Sequence, residues 1–91
     1  MINVILAGVG GQGTVLASRL IAECAMNKGH LICAAETIGM AQRGGSVVSH
    51  VRIGGDIYSP LVPYGETDLL IGFEPSEAVR SLPYLTKDGT I

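Results

Sequence analysis

NVILAGVGGQGTVLAS, residues 3–18, joins a short apolar run to a cluster of glycines and then to the start of a helical pattern. Asn3 to Ala7 is an apolar run closed by Gly8, which suits a strand buried on both faces, as in a parallel sheet, better than a half-exposed one. From Gln12 or Gly13 the period changes to that of a helix. Leu16, Leu20 and Cys24 share one face with Ala17 and Ile21 beside them, while Arg19, Glu23 and Asn27 form a polar stripe, so the first face is expected to pack on the sheet. Lys28 suits the negative end of the helix dipole, and Gly29 is placed to take the left-handed conformation that ends a helix. A second apolar run, Leu31 to Ala35, completes strand, helix and strand within about 30 residues, the length of a βαβ unit whose crossover is expected to be right-handed.

The glycines of the opening stretch form the first candidate site. Gly8-Val9-Gly10-Gly11-Gln12-Gly13 fits G-x-G-x-x-G in the context that gives the pattern meaning, after a strand and into a helix. Glycines let the backbone turn sharply and approach a ligand, while unpaired amides of the first helical turn face it and favour an anion by roughly 0.3–1 kcal/mol. A phosphate or a carboxylate fits such a place. The plain structural alternative is that these glycines serve only a tight turn and close packing of helix on sheet.

The second candidate is ETIGMAQRGGS, residues 36–46, with one acid, one guanidinium and three glycines. Gln42 and Arg43 are the polar groups placed to meet a ligand, and Gly44 and Gly45 let the backbone come close to it. A charged hydrogen bond from a guanidinium to a carboxylate or phosphate contributes roughly 1.5–3 kcal/mol. The competing reading is a solvated loop in which Arg43 pairs with Glu36. Glu36 also stands, at the end of the second strand, where a dinucleotide-binding fold places the acid that holds a ribose hydroxyl.

Beyond this loop, Val47, Ser49, Val51 and Ile53 alternate with Val48, His50 and Arg52, which predicts a strand with one apolar and one basic face. His50 beside Arg52 could exchange a proton near neutrality, but no carboxylate stands in fixed sequence relation to orient it, and a structural or interface role is the preferred reading. Gly54-Gly55 before Asp56-Ile57-Tyr58 reads as a tight hairpin, and Pro60 and Pro63 end any ladder. Asp68 to Phe73 is a further buried strand. Pro75 opens a helix with Ala78, Val79 and Leu82 inward, which Pro83 cuts short. Lys87-Asp88-Gly89 reads as a turn, and Thr90-Ile91 as the first residues of a strand that does not continue, so the fold is expected to be truncated at its C-terminus.

These elements predict one α/β domain over residues 1–91, a Rossmann-like three-layer sandwich with a mostly parallel sheet and a β-hairpin. A chain this short buries only about 60–65% of its unfolded surface, and with 47% hydrophobic and 15% charged residues it reads as a subunit that covers surface against a partner. A net charge of −2 and scattered basic residues argue against nucleic acid and anionic membranes. The apolar run at the N-terminus is too short to span a bilayer and lacks a basic leader, so a cytoplasmic protein is expected. Cys24 and Cys33 are neither spaced as a metal pair nor numerous enough to hold an iron–sulfur cluster, and core packing is their expected role.

GVGGQGTVLAS at 8–18, ETIGMAQRGGSVVSHVRIG at 36–54 and DLLIGFEPSEAVR at 68–80 together resemble the gamma-type component of the 2-oxoacid:ferredoxin oxidoreductases, and within that family the small subunit of the indolepyruvate enzymes. The resemblance runs collinearly over nearly the whole chain. It implies oxidative decarboxylation of a 2-oxoacid such as an arylpyruvate, in anaerobic metabolism, with coenzyme A taking the acyl group and ferredoxin the electrons. It also implies a large catalytic subunit that carries thiamine diphosphate and the iron–sulfur clusters, and no catalytic residue or metal site in this chain. Gly54-Gly55-Asp56 is only a hairpin signal, not a metal–diphosphate motif. The residues carried over for ligand or partner binding are Gly8, Gly10, Gly11, Gln12, Gly13, Glu36, Gln42, Arg43, Gly44 and Gly45. Two other readings stay open: an NAD(P)-binding oxidoreductase module, and a purely structural subunit without a ligand.

Overall fold

The computed structural model describes residues 2–9, 13–38, 46–54 and 61–91. Along the chain run β1 (Ile2–Val9), α1 (Thr14–Asn27), β2 (Ile32–Ile38), β3 (Ser46–Ile53), β4 (Thr67–Gly72), α2 (Pro75–Arg80), a 3-10 turn (Leu82–Tyr84) and β5 (Leu85–Thr90). The five strands form one sheet in the order β2-β3-β1-β4-β5. The apolar run at the N-terminus is thus the central strand, parallel to β4 on one side and antiparallel to β3 on the other.

The expected βαβ unit is modified by this order. β2 does not pair with β1, because β3 lies between them and runs antiparallel to both. The sheet is therefore mixed rather than mostly parallel in its pairings, although β1, β2, β4 and β5 all point the same way. Hairpin pairing of β2 with β3 across residues 39–45 produces this insertion, and no local pattern in the sequence announces it. The hairpin predicted at Gly54-Gly55 falls largely on residues 55–60, outside the described residues; Gly54 itself has φ +76° and donates its amide to the Leu31 carbonyl at 2.8 Å.

Alternation along β1 divides the core into two layers. Val4 and Leu6 pack with Val51 beneath Ala17 and Ile21 of α1, and Ile5 and Ala7 pack with Leu70 and Val62 on the opposite face. Fully burying Ile5, Leu6, Val51 and Leu70 contributes roughly 1.5–3 kcal/mol apiece, so β1 and its two neighbours anchor the domain. α2 lies on the second face, where a Cβ added to Gly72 would stand 2.5 Å from the Ala78 Cβ. Only glycine allows so close an approach of helix to strand.

Three local expectations are corrected. The inner face of α1 is Thr14, Ala17, Ser18, Ile21 and Ala25, whereas Leu16, Leu20 and Cys24 form an exposed flank; small side chains permit a close approach to the sheet that leucines would prevent. In α2, Ala78 faces inward with Glu77, but Val79 is exposed, and Leu82 is exposed in the 3-10 turn. Finally, Lys87-Asp88-Gly89 is not a turn but part of β5, which pairs parallel to β4. The register slips between the Thr67–Leu85 and Leu69–Thr90 pairs, and Gly89 lies there because a Cβ would meet the Thr67 carbonyl at 2.8 Å. The helix stop was read correctly: Gly29 has φ +85° and its amide reaches the Met26 carbonyl at 2.9 Å.

Candidate functional site

One edge of the sheet gathers the ends of both motifs. The register pairs Val9 with Ser46, Gly8 with Val47 and Ile38 also with Val47. Val9, Ile38 and Ser46 therefore stand side by side at the carboxyl end of β1, β2 and β4. Open α/β sheets bind ligands at that end. Gly8 is buried within β1, and Gly13 is the N-cap of α1 with φ +86°, a left-handed conformation that favours glycine. Gly10, Gly11, Gln12, Gln42, Arg43, Gly44 and Gly45 lie outside the described residues, as does any pairing of Arg43 with Glu36. Glu36 is not at the strand's end but inside β2, with Ser49 as its register partner and two residues of strand after it.

The two helix starts at this edge are built differently. α1 has no side-chain cap and no acid in its first turn, and its first backbone bond runs from the Ala17 amide to the Gly13 carbonyl at 2.9 Å. The amides of Thr14, Val15 and Leu16 are thus left without an intrahelical acceptor. α2, by contrast, is closed: the Glu74 carboxylate accepts from the Glu77 amide at 2.8 Å, which is the main cause holding its pKa below the usual carboxylate range. The Phe73 amide donates to the Ala7 carbonyl at 2.8 Å and ties this second helix start to β1. Of the two, α1 is the one whose start no described side chain caps, and it turns its positive dipole end to the edge.

His50 and Arg52 do not belong to this edge. Both are buried, on the face of β3 that looks away from α1, so the predicted basic surface is an interior polar cluster. The Arg52 Nε donates to the Asn3 Oδ1 at 3.0 Å and its Nη1 to the Leu61 carbonyl at 3.3 Å. Asn3 in turn donates its side-chain amide to the Glu66 carbonyl at 2.9 Å, and its backbone amide to the Asp68 carboxylate at 2.8 Å. His50 accepts the Val62 amide on Nδ1 at 3.1 Å, which places its proton on Nε2, and its ring stands edge-on to Tyr84 with centroids 6.0 Å apart. Burial lowers the His50 pKa. These bonds latch residues 61–66 onto the sheet, so His50 has the structural role preferred for it, but in the interior rather than at a surface or interface.

Asn3 was missed as a structural hub. It stood first in a run counted as apolar, and its signal was the lone amide there. Ser49 is a second buried polar group, whose hydroxyl has no hydrogen-bond partner among the described residues. The core-packing role expected for both thiols fails for Cys24, which is exposed on the flank of α1, while Cys33, half-buried and opposite Arg52 in register, belongs to the other face of the sheet. They cannot share a cluster, and among the described residues no three His, Cys, Asp or Glu side chains gather to hold a metal. Nor is any described helix long and apolar enough to cross a membrane.

The family model for pyruvate ferredoxin/flavodoxin oxidoreductase matches residues 3–91. The chain belongs to that oxidoreductase family. Among curated members, an indolepyruvate oxidoreductase subunit IorB from Archaeoglobus fulgidus is 51% identical over 87 residues, 96% of this chain and 43% of the relative. The IorB subunit from Pyrococcus horikoshii is 43% identical, covering 98% of this chain and 44% of its own. In fold, the chain resembles the pyruvate oxidoreductase subunit PORC of Thermotoga maritima, with a TM-score of 0.75 over 97% of this chain and 24% identity. The gamma subunit of a keto/oxoacid ferredoxin oxidoreductase from Geobacter sulfurreducens superposes with a TM-score of 0.63 at 27% identity over 90% of this chain. This family member spans less than half the length of the curated relatives named here.

Proposed function

We propose that the chain serves as part of the accessory, gamma-type subunit of a thiamine-dependent 2-oxoacid:ferredoxin oxidoreductase acting on indolepyruvate or a related arylpyruvate. The observation that carries this reading is the 51% identity to an indolepyruvate oxidoreductase subunit over 96% of the chain. In this reading the large subunit supplies thiamine diphosphate and the iron–sulfur clusters, which this chain's separated thiols do not fit. Thiamine diphosphate supplies decarboxylation of the 2-oxoacid, and the clusters pass the electrons to ferredoxin. The fold is the Rossmann-like, three-layer type, and the complex is cytoplasmic.

This chain's own part is at the carboxyl edge of its sheet. There the open start of α1 and the loops carrying Gly8 to Gly13 and Glu36 to Ser46 receive an anionic group, with Arg43 as its cationic partner. The phosphates of coenzyme A and the carboxylate of the 2-oxoacid both have that chemistry. The start of α1 supports this, since among the described residues no side chain caps it and its first turn holds no acid that would compete for its amides.

Purification of the complex from its own host is the test. A brown, cluster-containing larger subunit is expected to accompany the chain, and the pair should reduce ferredoxin only when both arylpyruvate and coenzyme A are present. Tight binding of NAD or NADP by the chain alone, with no such companion, would instead establish the dinucleotide reading.

A further inference from the structure

The exposed flank of α1 is used neither by the fold nor by the proposed site. Leu16 is 63% and Leu20 54% exposed, and Cys24 lies one turn further along the same flank. Leu20 and Cys24 line a groove of about 520 Å³ with Ile2 of β1, itself 53% exposed, and with Ile53 and Gly54 at the end of β3, so this flank lies on the β1 side of α1, away from β2. On the same face of the sheet, Leu69 and Ile71 of β4 are half-buried at the margin of the α1 core.

α1 packs over β1, β2 and β3, and α2 packs on the opposite face. The α1 face of β4 and β5 carries no helix among the described residues. Yet β1, β4 and β5 are parallel neighbours, and parallel strands are covered on both faces. Packed helices lie about 8–10 Å apart, close to two strand spacings of about 4.8 Å, so a helix beside α1 would lie over β4. Leu16, Leu20 and Cys24 form one wall of that place, and Ile2, Leu69 and Ile71 its floor.

We infer that this trough is filled by the apolar face of an amphipathic α-helix belonging to polypeptide equivalent to the part of the relatives that this chain does not match. That part is more than half of each relative, since the chain covers only 43% and 44% of the two IorB subunits and 46% of the PORC chain. The foot of the groove adds a mark of the occupant's chemistry: among the described residues it is lined by Lys28 and His30 and by no acid. The end of the incoming helix that meets them carries a carboxylate.

Cys24 is a built-in probe. In a Cys33→Ser background, the chain is joined to the unmatched part of the Archaeoglobus IorB subunit, in the order that subunit has it. Alkylation of Cys24 by N-ethylmaleimide is then followed by peptide mass spectrometry. Cys24 is expected to react at least tenfold more slowly in the joined protein than in the 91-residue chain. Equal rates in a joined protein that unfolds cooperatively would overturn the inference. So would protection of Cys24 in the 91-residue chain that grows with its concentration, which would make a second copy the occupant. A measurement independent of the joined protein uses the chain alone with 8-anilinonaphthalene sulfonate. Replacing Leu16 and Leu20 together with glutamate should cut the dye's fluorescence at least threefold with circular dichroism unchanged, and unchanged fluorescence would contradict an open trough.

Discussion

Replacing Arg52 with methionine should cost the domain a large part of its stability. Methionine keeps the apolar stem that packs beside β1 but removes the donors to the Asn3 Oδ1 at 3.0 Å and to the Leu61 carbonyl at 3.3 Å. A buried hydrogen bond with a charged partner contributes about 1.5–3 kcal/mol, and the longer, partly buried bond adds about 1 kcal/mol at most. Recovering the desolvation cost of a buried guanidinium offsets some of this. A net loss of about 2–3 kcal/mol follows, against a total of about 5–14 kcal/mol for a chain this size. With a urea slope of about 1 kcal/mol per molar, the midpoint should fall by about 2 M. A double-mutant cycle with Asn3→Ala should return a coupling of about 1 kcal/mol or more, because the two side chains share one bond. A midpoint within about 0.3 M of the parent, or additive losses in the cycle, would refute the claim that this cluster latches residues 61–66 to the sheet.

Two other outcomes can be checked on the chain alone. Gly72→Ala drives a Cβ to 2.5 Å from the Ala78 Cβ and should destabilise by about 1–3 kcal/mol, read as a lower urea midpoint, with Gly72→Ala/Ala78→Gly recovering part of the loss. His50 has a pKa lowered by burial, so the folded state binds its proton less readily than the unfolded state does. Stability from this group is complete above the ordinary histidine pKa of 6.5 and declines as pH falls below it, because protonation must break the Val62 amide bond to Nδ1. Thermal unfolding between pH 7.5 and 5 should show that decline, and His50→Gln should flatten it.

Legibility of the sequence varied with how local each determinant was. β1, the left-handed Gly13 and the start of α1 could be read from residues 3–18 because an apolar run, a φ-permissive glycine and a change of period are all local signals. The place of β3 between β1 and β2 could not, since it depends on a hairpin closing across residues 39–45. Hydrophobicity misassigned the inner face of α1: leucines outrank Ala17, Ser18 and Ala25 on any transfer scale, but the smaller side chains bring the helix close to the sheet. Lys87, Asp88 and Gly89 concealed β5 because an edge strand tolerates polar residues and its register slip needs the glycine. At the site, the sequence offers the two motifs as separate candidates, and the pairing of Val9 with Ser46, which brings their described ends together, depends on long-range strand register. The alternation of His50 and Arg52 was read correctly, but their burial was not, because residues 61–66 that cover them come from a connection with no period of its own.

Kinetics of an Arg43→Ala variant in the assembled oxidoreductase test the proposed role of the carboxyl edge most directly. Loss of a guanidinium–anion hydrogen bond of about 1.5–3 kcal/mol corresponds to a rise of about 10- to 150-fold in KM for either coenzyme A or the arylpyruvate, with the complex still intact on gel filtration. Unchanged constants for both, in an intact complex, would contradict a ligand role for this edge and leave the chain a purely structural subunit.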